Sequence, residues 1–400
     1  MVPLMPESLT VFRKAWFGAL ALFALAGSTG ALYRAGMLFG LPFGLQFGNV
    51  RHAHSHLMYF GWATVALIAL IVARLPAFTQ RSARRRWRWL IGATLAFALL
   101  AYFPFLFFGY ETVELNGSRL PPGVIGASLN ILMWYVFAWL YFTETRGVAR
   151  NAALRFWDWA IIFLILASFG AWGRALLVAL HVTDPFMTAA TVDLFLDLFS
   201  DGWFVLAVLG LALAEFPQAD DTQLRRGQRF ILIGLPVTFL LGVQVELVPS
   251  ALRLVAGVGG ILVGGGLLFV IRALWRVMPR ASVWKIPLVF LALKALAELG
   301  LSVPPLAVWG ESAGLRILYL HILLLGFVSL GLVAAAEFTW GAASARGRVW
   351  LTFAVIALIV TLIPLTALLP TALNGRWALE MAALAALGPP VVALGMLLRR

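Results

Sequence analysis

The feature that most constrains this chain is its series of long apolar stretches, separated by short polar or basic segments. Twelve can be drawn, at roughly residues 15–38, 51–75, 89–110, 123–144, 156–181, 190–215, 229–247, 251–271, 284–302, 314–338, 349–369 and 377–398. Each is close to the ~20 apolar residues that a helix needs to cross the hydrocarbon core of a bilayer. Backbone N–H and C=O groups cannot be left unpaired in hydrocarbon, so segments of this length predict helices. The expected fold is all-α: a polytopic membrane protein of about twelve transmembrane helices, a single domain over residues 1–400. The first run follows Arg13 and Lys14, as a signal peptide would. Its apolar stretch exceeds the ~7–15 residues of a signal core, so it is read as a span.

Composition supports this reading. Hydrophobic residues make up 62% of the chain and charged residues 12%, and the mean hydropathy is +0.95; a water-exposed surface cannot be built from such a chain. There are no cysteines, which excludes disulfides, iron–sulfur clusters, thiolate-bound metals and covalently attached haem. The net charge of +13 follows membrane topology and does not indicate a nucleic-acid partner. With the N-terminus inside, the inner segments are 1–14, 74–88, 145–155, 216–229, 272–285, 340–348 and the C-terminus. They hold twenty-two of the thirty Lys and Arg residues, and each is basic. That is the positive-inside pattern, and it predicts two cytoplasmic termini. No soluble domain, linker or internal sequence repeat stands out, although the helix bearing GFVSLG loosely echoes the first histidine helix.

The five histidines are one-sided. In this topology His52, His54 and His56 begin the second span, His181 ends the fifth, and His321 lies early in the tenth. All fall in the outer third of the bilayer. Interfacial histidines can be simple polar anchors, but three in five residues of a membrane helix are costly unless something uses them. At 100° per residue His52 and His56 share one face, and His54 points away from both. One helix can thus offer an i,i+4 imidazole pair to one metal and a single imidazole to another site. Neutral imidazole ligates haem iron, copper and zinc. With no thiolate and few carboxylates nearby, haem and copper suit this pocket best.

The stretch His54-Ser55-His56-Leu57-Met58-Tyr59-Phe60-Gly61 resembles the second-helix motif of the haem–copper oxidase catalytic subunit, where a His followed by Met and Phe ligates the low-spin haem. His321-Ile322-Leu323-Leu324-Leu325-Gly326 resembles that family's tenth-helix ligand segment and falls in the tenth predicted span. The same two motifs, H-x-H-x-M-x-F-G and H-x-L-x-x-G, are similar to those of the NnrS family, polytopic haem- and copper-containing proteins associated with nitric-oxide metabolism. The resemblance covers the topology and these two motifs. It implies a haem–copper-oxidase-subunit-I-like bundle in a bacterial inner membrane, with haem b held by His54 and His321. His52, His56 and His181 are left for copper or a second haem. Two departures weigh against oxygen reduction. Tyr319 stands where oxidases carry the high-spin haem ligand, and spans 190–215 and 229–247, where oxidases hold copper, contain no His.

Haem propionates need cations, and Arg34, Arg51, Arg174, Arg253 and Arg316 lie near outer span ends. Arg51 and Arg316 are preferred, since each precedes a candidate ligand on its own helix; Arg suits bidentate carboxylate pairing. Asp193, Asp197 and Asp201 form an i,i+4,i+8 stripe descending from the outer face, with Asp184 at its mouth. They read either as a proton or cation path or as packing pairs, with Arg174 one candidate partner. Lys294 and Glu298 are also i,i+4 and read as a self-satisfied ion pair. Trp62, Trp134, Tyr135 and Trp203 read as packing or interfacial aromatics, and Gly264, Gly265 and Gly266 as a site of close helix approach.

Three functions follow. The first is a membrane haem protein handling nitric oxide or, as a respiratory component, electrons, with quinone, dioxygen and membrane lipid as further expected partners. The second is a secondary transporter or proton/cation channel using the aspartate stripe, against which no paired halves with matching interruptions are visible. The third, a metal-dependent intramembrane enzyme using His52 and His56, lacks the HExxH carboxylate base.

Overall fold

The computed structural model describes residues 6–81, 85–115, 117–370, 372 and 374–398. Arg84, Arg399 and Arg400, counted above among the inward basic residues, lie outside the described residues, as do residues 1–5. The helices are α1 (Pro6–Phe39), α2 (Phe47–Thr79), α3 (Arg85–Phe108), α4 (Pro122–Glu144), α5 (Ala152–Ala179) and α6 (Pro185–Glu215). They continue with α7 (Asp221–Thr238), α8 (Ser250–Val277), α9 (Lys285–Leu301), α10 (Pro304–Ser312), α11 (Arg316–Trp340), α12 (Ala342–Leu365) and α13 (Arg376–Leu398). A hairpin that the sequence did not suggest joins α3 to α4, pairing β1 (Val113–Leu115) with β2 (Ser118–Leu120).

The chain is therefore an all-α, multi-pass membrane protein. Ten helices among the described residues are long and apolar enough to cross a bilayer, or eleven if α9 and α10, bent by 113° at Ser302, count as one span. The two predicted spans outside the ten have physical reasons. The 229–247 run falls on α7, whose first turns, DTQLRRGQR, are polar and whose last turn contains Pro236. The 284–302 run forms a helix of 17 residues that stops at the bend.

The chain divides into two compact units, one of residues 1–148 and 332–400, the other of 149–331. In the first unit α2 is the buried centre. Val65 to Val72 are completely inaccessible, as expected of a helix that is apolar all round. The Trp62 ring packs between Trp16 and Phe23 at 5.3 and 4.8 Å, and the Trp16 indole donates to Ser344 O at 3.1 Å. In the second unit α6 is the centre, with Trp203 to Leu209 inaccessible or nearly so. Trp157 donates to Ala207 O at 3.2 Å and Trp284 to Glu215 Oε2 at 2.7 Å. Trp134 is fully buried as well, so three of the four aromatics singled out above pack in the core.

Bilayers supply no hydrophobic drive between helices, so close backbone approach carries the packing. In the glycine run, Gly264 faces Ala295 O and Leu299 of α9, Gly266 faces Gly227 O of α7, and Gly265 faces open space. One turn earlier, Gly259 and Gly234 bring α8 and α7 so near that a Cβ on either would meet the other's carbonyl oxygen.

A recurrence appears that the sequence reading missed. Three helices open into a wide π turn: α2 at Leu57–Ala63, α6 at Leu198–Val205 and α11 at Ile322–Ser329. The residue just before each turn is His56, Asp197 and His321 respectively. Five residues later comes a glycine followed by an aromatic: Gly61-Trp62, Gly202-Trp203 and Gly326-Phe327. Each glycine receives a side chain from an earlier helix of the same unit, Leu22 of α1, Phe163 of α5 and Phe290 of α9.

Candidate functional site

In the first unit the 100° spacing separates the three histidines of α2 as expected. His54 turns toward α1, where its Nδ1–H donates to Ala26 O at 2.7 Å. A carbonyl can only accept, so Nδ1 carries the proton and Nε2 the lone pair, the tautomer that a metal requires. The ring rests against the bare Cα of Gly30, one turn beyond Ala26. A Cβ there would sit 2.7 Å from Cε1 and 2.9 Å from Nδ1. Carbonyl and glycine together fix the ring, and neither was legible as part of a ligand motif.

His52 and His56 face α3. The His56 Nδ1–H donates to His52 O at 2.9 Å, and its ring stacks on Phe105 with centroids 3.9 Å apart. His52 meets Tyr110 edge-on at 4.7 Å, and the two imidazole centroids are 6.4 Å apart. The neighbouring Asn49 donates to Phe107 O at 3.2 Å, anchoring the end of α3. Arg51 is exposed, and Arg34 lies beside Met37 at 4.0 Å.

In the second unit His321 repeats the pattern of His56, its Nδ1–H donating to Ile317 O one turn back at 2.7 Å. His181 is different. It is exposed, with φ of +54°, just after α5. Its N–H bonds to Val178 O and that of Val182 to Leu177 O, the paired bonds of a Schellman helix end. Its backbone role as the left-handed stop residue accounts for its place in the structure. Among the described residues no three His, Asp or Glu side chains are grouped to hold a metal ion.

The aspartate stripe is tied at each step to a different partner. Asp193 pairs with Arg316 at 2.7 Å, where Arg174 had been a candidate, so the preferred propionate cation of α11 is already engaged by a carboxylate. Asp197 lies 2.6 Å from Thr238 Oγ1 of α7. Asp201 lies 2.9 Å from Lys294 Nζ, and the same ammonium also pairs with Glu298. Lys294 is wholly inaccessible. The expected two-residue ion pair is thus a triad that includes Asp201, and Tyr319 stands within electrostatic reach of it.

No protein-family model matches this chain, and no curated protein matches it. The case for function therefore rests on the residues themselves.

Proposed function

We propose that the chain is a membrane haem b protein of NnrS or haem–copper-oxidase-like type, in which His54 and His321 supply axial nitrogens and nitric oxide or electrons are handled. One observation carries this reading. On two of the three π-turned helices, imidazoles donate Nδ1–H to a backbone carbonyl and so present Nε2 as the basic nitrogen. That is the arrangement by which proteins orient metal-bound histidine, and π turns concentrate at functional sites. The seat at Gly30 fits a ring held in one orientation. Haem, when bound, supplies one-electron redox chemistry and an iron that a diatomic gas can occupy. The chain's own part is to half-bury the imidazoles and fix their orientation. His52 and His56 offer two imidazoles for copper or a second haem, with no third His, Asp or Glu grouped beside them among the described residues.

The recurrence supports a twelve-span count for the bundle. Three helices, α3 to α5, separate the first and second π-turned helices. Between the second and third lie α7, α8 and the bent α9–α10 pair. The period of four holds if α7 and α9 each cross the membrane, and an even count fits the two cytoplasmic termini expected from the basic inner segments; the bacterial inner membrane is proposed on the resemblance to the NnrS family.

The test is a reduced-minus-oxidised spectrum and metal content of the detergent-purified protein. A sharp low-spin b-type signal, lost in His54→Ala or His321→Ala, is the expected result, and the haem-to-protein ratio counts the haems. A colourless preparation with neither iron nor copper refutes the proposal and favours the transporter or cation-channel reading built on Asp193, Asp197 and Asp201.

A further inference from the structure

The charged cluster in the second unit does not balance as drawn. Asp201 and Glu298 both pair with one ammonium, Lys294, and Asp197 stands one turn along α6 within electrostatic reach of it. Asp201, Glu298 and Lys294 are buried and Asp197 is half-buried. The elements packed around them add nothing that titrates over the facing stretches. Residues 159–173 of α5, 256–271 of α8 and the π turn of α11 carry no acid, base or tyrosine. Tyr319 on α11 is neutral as a phenol, and the outer pair Asp193–Arg316 compensates itself. Three carboxylates against one cation would leave surplus negative charge inside hydrocarbon, which is too costly to stand without a proton or a cation.

Hydrogen-bond geometry offers a place for that proton. Thr238 has one hydroxyl proton, yet its Oγ1 lies 2.9 Å from Leu235 O and 2.6 Å from Asp197 Oδ2. A carbonyl oxygen only accepts. With the hydroxyl donating to Leu235, the short contact is a hydrogen bond only if the Asp197 carboxyl donates to Thr238. A second observation lies one turn along α6. Asp201 Oδ1 is buried and has no hydrogen-bond donor in line, the ammonium being close but off its axis.

We propose that Asp197, with the Asp201–Lys294–Glu298 triad, forms an intramembrane proton-holding site, the exchangeable proton residing on Asp197 Oδ2 and donated to Thr238. Asp197 stands in the register that His56 and His321 occupy on the other two π-turned helices. The same helical position thus presents an imidazole twice and a protonatable carboxyl once. The site stands whatever the histidines bind.

Infrared spectroscopy of the purified protein near neutral pH tests this. The expected spectrum contains a protonated-carboxyl C=O band that moves down in D2O, and Asp197→Asn removes that component. Thr238→Val, a smaller change, leaves the band but raises its frequency, because the carboxyl loses its acceptor; this variant decides the matter if Asp197→Asn does not fold. Absence of the band in the wild type overturns the proposal, as does its full survival at an unchanged frequency in the variants. Its removal by Glu298→Gln alone places the proton elsewhere and also overturns it. Loss of the band on adding sodium at constant pH makes this a cation site instead. The readout requires no haem, so its failure is distinguishable from failure of the haem proposal.

Discussion

Gly30→Ala interrogates the His54 site without altering a ligand. The added methyl carbon would lie 2.7 Å from Cε1 and 2.9 Å from Nδ1, against ~3.5–4.0 Å for an unstrained contact between carbons. The ring cannot slide away while tethered, because Nδ1 is 2.7 Å from Ala26 O. If the ring stays, the overpacking costs about 1–3 kcal/mol. If it rotates, the Nδ1–H bond is lost, at about 1 kcal/mol net, and Nε2 leaves its set direction. Disturbing the partner that orients a metal-bound histidine typically weakens the metal by about 10–100-fold. The expected outcome is therefore a haem-to-protein ratio, measured as the pyridine haemochrome after detergent washing, well below that of the wild type. Gly92→Ala is the control, since nothing lies within 4 Å of a Cβ there. A Gly30→Ala protein with wild-type haem content and an unchanged low-spin spectrum refutes the claim that this seat positions a ligand.

Two further outcomes follow from the backbone. Gly234→Ala, whose methyl would meet Gly259 O, forces α7 and α8 apart with no rotamer to relieve it; it lowers stability by about 1–3 kcal/mol in reversible detergent unfolding. Gly265→Ala, facing open space, is neutral or gains up to ~1 kcal/mol from helix propensity, and equal stabilities of the two variants refute the packing assignment. His181→Gly relieves a left-handed residue, worth about 1–2 kcal/mol of strain, against ~0.5–1 kcal/mol of added chain entropy. Thermal stability should hold or rise slightly while iron and copper contents stay fixed, and loss of metal in this variant identifies His181 as a ligand.

The fold was legible because bilayer physics leaves few choices. An apolar run such as 251–271 has one way to satisfy its backbone, and α8 duly covers it. Legibility failed where polarity and span overlap. Arg225, Arg226 and Arg229 sit inside α7, so hydropathy alone cannot say how much of that helix is in the membrane. The two faces of α2 were readable too, since i,i+4 against i,i+2 spacing is a property of the helix. What lies opposite each face was not, because Ala26 and Gly30 are ordinary residues of an apolar span, and only tertiary placement gives them a role.

The ion pairs failed for a related reason. Spacing along one helix revealed Lys294 with Glu298 and the aspartate stripe with itself, but charge in hydrocarbon is balanced across helices. Asp193 is neutralised by Arg316, 123 positions away, and Asp201 by Lys294. The recurrence of a histidine or aspartate five residues before a glycine–aromatic pair was, by contrast, present in the sequence. It is masked there because the first residue of each set differs in chemistry, and the π turns show that His56, Asp197 and His321 hold one register. Since a π turn lowers local helix stability, three of them at the same position beside polar residues are hard to attribute to packing alone. The register therefore gives Asp197 of the charged cluster and two of the histidines equivalent positions, each just before the π turn of its own helix.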